Sequence, residues 1–194
     1  MEGMIPMDLL MEAYRQGVFP MAEPGTGEMH WYSPDPRGVL PLEDFHQPHG
    51  LRKVVQRGRF EVRFNTAFRR VMEGCAAREE TWIDGRILES YGALHEAGYA
   101  HSVEAWWEGR LAGGLYGVAL GGAFFGESMF HEVTDASKVA LVALVERLKA
   151  RGYGLLDLQW VTPHLAQFGA REISRARYLR QLREQLKREC VFAP

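Results

Sequence analysis

Between Leu111 and Phe125 the chain carries no charged side chain, only small and apolar residues, and the acid Glu127 then follows. Leu120-Gly121-Gly122 interrupts the run as a turn would, so the stretch reads as two strands of a hairpin buried in a core. A second run ends in the same way. Leu155-Leu156 lead into Asp157, and Trp160-Val161 follow Gln159. A carboxylate at the end of a buried strand is costly unless it is paired or hydrogen-bonded. Glu127 and Asp157 are therefore either site residues or partners of a helix end or an arginine.

The surrounding pattern extends this sheet. Ser102 to Trp107, Arg110 to Ala119 and Gly122 to Met129 read as three consecutive antiparallel strands, turning at Glu108-Gly109 and again at Leu120-Gly121-Gly122. Asp135 is expected to cap a helix over Ala136 to Arg151, apolar at Val139, Leu141, Val142, Leu144, Val145 and Leu148. A strand over Leu155 to Trp160 follows. Then come a short helix opened by Thr162-Pro163 and closed by Gly169, a strand at Ile173, and an amphipathic helix over Arg175 to Arg188.

Upstream, Pro6 to Gln16 reads as a helix stopped at Gly17, and the proline-rich segment Phe19 to Pro36 as irregular chain. Gly38 to Leu40 is expected as a short strand and Pro48 to Gln56 as a basic helix. Phe60 to Phe64 alternates like a half-buried strand. Asn65 and Asp84 are expected to cap helices running to about Ala77 and Ala97. The order of elements is α+β. Residues 1–70 are expected to form a small N-terminal domain with the basic helix, and 71–194 a larger domain.

Charge is unevenly placed. The net charge is −2, yet residues 46–70 hold Arg52, Lys53, Arg57, Arg59, Arg63, Arg69 and Arg70 against Glu61 alone. Residues 171–188 hold another run of arginines and lysines against Glu172 and Glu184. Two basic zones on an acidic body point to a polyanionic partner or to solvated helix faces. The longest purely apolar run, Val139 to Val145, is far short of the ~20 residues a membrane span needs. Cys75 and Cys190 lie far apart with no metal spacing, and the N-terminus lacks the pattern of a signal peptide, so a cytoplasmic chain is expected. The seven histidines show no paired metal spacing.

The chain resembles the leucyl/phenylalanyl-tRNA–protein transferase family from about Ala13 to Leu182. The likeness is carried by Ala13 to Pro20, Trp31 to Arg37, Glu73 to Ala76, Thr81-Trp82-Ile83, His101 to Glu104, Gly113 to Val118, Gly126 to Phe130, Ala136-Ser137-Lys138 and Asp157-Leu158-Gln159. The resemblance implies an acyl-CoA N-acyltransferase-like fold. It also implies transfer of Leu or Phe from aminoacyl-tRNA to the N-terminal amine of proteins beginning with Arg or Lys, marking them for degradation. No cofactor is implied, because the aminoacyl ester is already activated.

Asp157 and Gln159 match the residues this family places at the centre. On a strand they share one face and Leu158 takes the other, so Gln159 is expected to accept a hydrogen from the attacking amine while Asp157 orients it. Glu127 is expected to meet the acceptor's cationic side chain or the aminoacyl end, unless it merely pairs with Lys138. Trp82, Tyr91, Leu115, Phe124 and Met129 match positions around the aminoacyl side chain, and read on their own are core residues. Ser128 is a candidate oxyanion donor. Lys53 and Arg57 share a helix face, with Arg52 and Arg59 beside them, and are expected to neutralise tRNA phosphates. The protein is expected to act as a monomer.

The chain departs from the family at Met21, where an aromatic residue is common, and in a short N-terminal part. Two rival readings are an acetyl-CoA-dependent N-acetyltransferase on the same fold and a non-catalytic adaptor for RNA or basic N-termini. The first needs a glycine-rich pyrophosphate cradle after the third strand. Phe130 to Ala136 holds no glycine and two acids.

Overall fold

The computed structural model describes residues 3–193. In chain order its elements are α1 (Met7–Arg15), β1 (Phe19–Ala22), β2 (Met29–Tyr32), β3 (Arg37–Val39), α2 (His49–Gln56), β4 (Glu61–Phe64), α3 (Phe68–Ala76) and α4 (Gly85–Glu96). Then come β5 (Ala100–Trp107), β6 (Arg110–Leu120), β7 (Ala123–His131), α5 (Ala136–Ala150), β8 (Leu155–Gln159), α6 (Pro163–Ala166), β9 (Arg171–Ile173) and α7 (Arg175–Gln185). Seven strands form one sheet in the order β4-β5-β6-β7-β8-β3-β9. It is an antiparallel-led mixed sheet with flanking helices, in keeping with the α+β order read from the sequence.

The hairpins are locally encoded. Glu108 and Gly109 both adopt positive φ (49° and 74°), the geometry of the two-residue turn whose twist matches paired strands. The charge-free run becomes β6 and the start of β7, buried on both faces. On one face α5 and α2 cover Leu115, Phe124 and Leu156. On the other, α1, α3, α4 and α7 cover Tyr116, Phe125 and Leu155. α5 carries the chain from β7 to β8, which pair in parallel. That pairing ends at Phe125↔Asp157. Beyond it Gly126 to Met129 and Leu158 to Trp160 diverge, and the carboxylates of the two runs arrive at this fork.

Three local expectations are corrected. Phe19 to Pro36 is not irregular: β1 and β2 pair from Phe19↔Tyr32 to Ala22↔Met29. Pro20 is tolerated because both strands of a two-stranded ribbon are edges. Asn65 does not cap α3. It takes a left-handed φ of 59° and its side chain bonds Ser102 and His101. The N-terminus of α3 is served by the buried Glu104 carboxylate of β5, which accepts from the Thr66 and Ala67 N–H groups at 3.0 and 3.1 Å. Asp135 precedes α5 in a left-handed conformation, but its carboxylate makes no cap bond and pairs with Lys138 at 2.8 Å. The caps at Asp84 and Thr162 form as expected.

A boundary at residue 70 falls within the sequence of the sheet itself. β3 and β4, before it, are bonded to β8, β9 and β5, after it. β3 is tightly seated. A Cβ on Gly38 would lie 2.6 Å from the carbonyl carbon of Trp160, and backbone there cannot yield without parting β3 from β8. Gly38→Ala is therefore expected to lose at least about 1–3 kcal/mol, read as a lower urea midpoint. An unchanged midpoint would contradict this seating.

Candidate active site

The fork between β7 and β8 opens into a cavity of about 250 Å³. Much of its lining is aliphatic, built from Leu115, Met129, Leu141, Leu144, Leu156, Leu158 and Leu165. Polar groups gather on the remaining wall: Glu127 and Ser128 from β7, Gln159 at the end of β8, then Thr162, His164 and Arg78. A cavity of ~150 Å³ already admits a benzene ring. This one accommodates either an isobutyl or a benzyl side chain, and its leucines would exclude a charge.

Asp157 stands behind the cavity. Its carboxylate is fully buried and faces Arg37, which is 1% exposed. Arg37 donates from Nε to Oδ1 at 2.9 Å and from Nη2 to Oδ2 at 2.6 Å, a two-pronged pair. Its Nη1 donates to the Gly17 carbonyl at 2.8 Å. The guanidinium sits over the rings of Phe19 and Tyr178, 4.9 and 4.4 Å from their centroids. The Tyr178 hydroxyl donates to Oδ2 at 2.7 Å, and the Gln159 backbone N–H donates to Oδ1 at 2.9 Å. Burial, and then the Asp157 charge, push the Tyr178 hydroxyl well above its ordinary pKa, so it stays a donor. Four donors thus meet one carboxylate, which is what makes a buried charge tolerable.

The expected sharing of a strand face by Asp157 and Gln159 is altered. Alternation holds through Leu158, which lines the cavity while Asp157 points away from it. At Gln159 the chain turns to a φ of 59°, and this left-handed step brings the Gln159 side chain to the cavity as well. Asp157 reaches Gln159 through its backbone N–H. A non-glycine residue held left-handed is uncommon, and the Asp157 bond is what secures it here.

Glu127 is half-buried at the fork. Loss of solvation is the main reason its carboxyl is raised to about 8. Asp157 adds to the rise, while the Tyr14 hydrogen bond and Arg37 oppose it. Tyr14 donates to Glu127 Oε1 at 2.7 Å and meets the Tyr91 hydroxyl on its other side. Lys138 is committed to Asp135, so the alternative pairing with Glu127 does not form. The Tyr116 hydroxyl, fully buried beside the cavity, has no hydrogen-bond partner among the described residues. Burial raises the Cys75 thiol to about 12 and leaves it unreactive.

Of the residues expected here, Glu127, Ser128, Leu115, Met129 and Gln159 line the cavity. Trp82, Tyr91 and Phe124 do not. Tyr91 lies one hydrogen bond behind Tyr14. Trp82 packs on the helical core around α1, α3 and α4, its carbonyl accepting from Ala22. Phe124 points to the other side of β7 from Phe125 and stacks on Phe192 at 5.3 Å. Arg52, Lys53, Arg57 and Arg59 are exposed on and after α2, which is anchored by Leu51. The Arg59 guanidinium lies over Trp107, 4.9 Å from its centroid.

The structure adds Arg37, Tyr14 and Tyr178. The first two sit inside the sequence segments Trp31–Arg37 and Ala13–Pro20, so a signal existed. Tyr178 had none beyond its place on an amphipathic helix. The group Glu23, Glu28 and His30 converges closely enough to hold a metal, but it lies on the β1–β2 hairpin and does not line the cavity.

A sequence model of the family described as leucyl/phenylalanyl-tRNA protein transferase matches residues 39–183. A second, described as the N-terminal domain of that transferase, matches residues 3–35. A protein from Akkermansia muciniphila named leucyl/phenylalanyl-tRNA–protein transferase is 54% identical over 193 residues, covering 97% of this chain and 100% of its own. One of the same name from Salinibacter ruber is 56% identical over 175 residues, covering 90% of this chain and 77% of its own. Among solved structures, a GCN5-related N-acetyltransferase-like protein from Streptococcus suis gives a TM-score of 0.39 at 17% identity, covering 86% of this chain and 64% of that one.

Proposed function

The chain belongs to the leucyl/phenylalanyl-tRNA protein transferase family, and from that premise we propose that the fork between β7 and β8 joins an aminoacyl ester to a protein's N-terminal amine. The chain is an aminoacyl-tRNA-dependent acyltransferase. The leucyl or phenylalanyl side chain enters the aliphatic cavity, and the acceptor, beginning with Arg or Lys, reaches the polar wall. The observation that carries this reading is the convergence of Gln159 and Glu127 on a leucine-lined cavity.

The ester already carries its activation, so no cofactor is invoked. An α-amine titrates near ~8 and is partly neutral at pH 7. Its nitrogen attacks the ester carbonyl carbon, an amide bond forms, and the bond to the ribose oxygen breaks. The amine gives up one proton and the leaving ribose oxygen gains one. Holding ester and amine together is worth up to about 7–11 kcal/mol of the barrier. The Gln159 amide oxygen accepts from the incoming amine and aims its lone pair. A neutral amide is too weak a base to take the proton outright, so Gln159 orients. Asp157 is a positioning residue, acting through the backbone of Gln159. Ser128 offers a hydroxyl toward the developing oxyanion. Arg52, Lys53, Arg57 and Arg59 on and beyond α2 meet phosphates of the tRNA. The reaction belongs in the cytoplasm, where charged tRNA is found, and needs only one copy of the chain.

The test is a transfer assay with tRNA charged with labelled leucine or phenylalanine and peptides beginning with Arg, Lys or Ala. Label is expected on the Arg and Lys peptides alone. Asp157→Ala is expected to lose more activity than Gln159→Ala, because it releases the backbone as well as the amide. Equal and small losses in both would remove the catalytic assignment. Acetylation of the same peptides from acetyl-CoA, without aminoacyl transfer, would move the chain to the rival chemistry. The segment between β7 and α5 speaks against that rival, for it holds Glu132 and Asp135 and no glycine.

A further inference from the structure

Two exposed aromatic rings meet beside the fork. Trp160, 43% exposed, lines the mouth of the cavity immediately after Gln159. Tyr32, 37% exposed, meets it edge-on with centroids 6.1 Å apart at 70°. Both rest on the buried ring of Phe19, which stacks on Tyr32 at 6.0 Å and takes Trp160 edge-on at 5.4 Å. Phe19 also covers Arg37. The rings are therefore backed by the buried ion pair and held at fixed angles.

The chain leaving Tyr32 leads directly to a cationic surface. Arg175, at the start of α7, donates its backbone N–H to Asp35 at 3.0 Å and its Nη1 to the Ser33 carbonyl at 3.0 Å. From there Arg177, Arg180 and Arg183 follow at steps of three along the exposed flank of α7, opposite the buried Tyr178 and Leu182. Among the described residues none of these three arginines has a carboxylate partner. The acids Glu23 and Glu28 belong to the far end of the β1–β2 hairpin, beside His30. Glu184, on α7 itself, is taken up by Lys187.

We infer that the Tyr32–Trp160 corner and the arginine flank of α7 form one RNA-binding track, in which unpaired nucleotides upstream of the acylated terminus stack on the two rings and their phosphates pass to Arg177, Arg180 and Arg183. The inference rests on the transferase reading, which brings an acylated RNA end to this mouth. Ring faces accept any base, and arginines accept backbone phosphate, so the track binds single-stranded RNA without reading its sequence. It is distinct from the basic face of α2, and a donor reduced to aminoacyl-adenosine would fill the cavity without reaching Arg177, Arg180 or Arg183.

That difference supplies the experiment. Transfer kinetics are measured with full-length aminoacyl-tRNA and with aminoacyl-adenosine, for the wild type, for Tyr32→Ala and for the double variant Arg177→Glu, Arg180→Glu. The double variant changes exposed side chains alone and keeps the test valid if Tyr32→Ala folds poorly. With aminoacyl-tRNA the KM is expected to rise about tenfold or more in each variant. The salt dependence of tRNA binding is expected to flatten by about one to two in the log–log slope in the double variant. With aminoacyl-adenosine the double variant should match the wild type. Equal changes with both donors, or no change with either, would overturn the track. A rise confined to the KM of the acceptor peptide would also overturn it and assign the surface to the protein substrate. If the wild type transfers from neither donor, the transferase reading itself fails, which is a separate result.

Discussion

Replacing Arg37 by alanine is expected to cost roughly 3–5 kcal/mol of stability and to abolish transfer, although Arg37 does not line the cavity. The loss comes from what stays behind. Asp157 is fully buried, and without the guanidinium two of its four donors vanish, leaving an under-compensated charge in the core. Its neighbours would shift, and the first to do so is the Gln159 N–H that Asp157 secures. Arg37→Lys should recover little, because an ammonium cannot supply the two-pronged contact and the bond to Gly17 together. The informative variant is double: Arg37→Met with Asp157→Leu. Removing both charges and filling the space is expected to restore much of the stability while leaving transfer absent, since nothing then fixes the left-handed turn at Gln159. Urea midpoints and single-turnover rates check both halves. A stable and active double variant would show that the ion pair serves neither purpose.

Glu127 yields the second large effect, through pH. Its carboxyl holds a proton to about 8 in the fold, against an ordinary value of 4.5. The folded state therefore binds more protons than the unfolded chain between those limits. Stability falls as pH rises from about 4.5 to 8 and levels off above. Glu127→Gln should erase that fall, which urea midpoints at pH 5.5, 7 and 8.5 would report. Function runs the other way. To hold a cationic Arg or Lys side chain Glu127 must be charged, and the acceptor amine must be neutral. Each fraction grows tenfold per pH unit below its pKa, so kcat/KM should climb about a hundredfold per unit below pH ~7 in the wild type. In Glu127→Gln only the amine remains, and the climb should drop to about tenfold. At pH 8.5 that variant should be slower by about 10–100-fold with Arg and Lys acceptors, the worth of a hydrogen bond to a charged group, while tRNA affinity is unaltered. Parallel pH slopes in both proteins would remove Glu127 from acceptor recognition.

What the sequence discloses, and what it withholds, follows the range of the interactions involved. The hairpins of β5, β6 and β7 are written in adjacent residues, in period-two alternation and a Glu108-Gly109 turn, and they form as read. So do α5, β8 and the caps at Asp84 and Thr162. The β1–β2 hairpin was obscured by its prolines, which mark loops unless the strand is an edge. Asn65 and Asp135 carry the right side chains for caps, but Glu104 from another strand and Lys138 from the next turn outcompete those roles. Within the site, Glu127 and Gln159 were visible as polar residues closing apolar runs. The partner of Asp157 was not, because Arg37 lies 120 residues away. Strand alternation, the best local guide, fails at Gln159, where the backbone turns left-handed. Trp82, Tyr91 and Phe124 show the converse. A match to the family marks a residue as near a site without saying which way its side chain faces.

The placement of β3 between β8 and β9 has a consequence for synthesis. The strand is made in the first fifth of the chain, yet both of its neighbours in the sheet come from the last fifth. As the polypeptide leaves the ribosome, β5 to β7 can pair soon after they emerge, since their contacts are short in sequence. Arg37 must wait, unpaired, until Asp157 appears. Only then can β3 join the sheet, form the buried pair and set Gln159. β3 therefore takes its place late, and a nascent chain halted before β8 would hold a folded hairpin core with no reaction centre. Activity then reports that translation has passed β8, and β3, with neither neighbouring strand yet beside it, is the stretch a chaperone would have reason to hold.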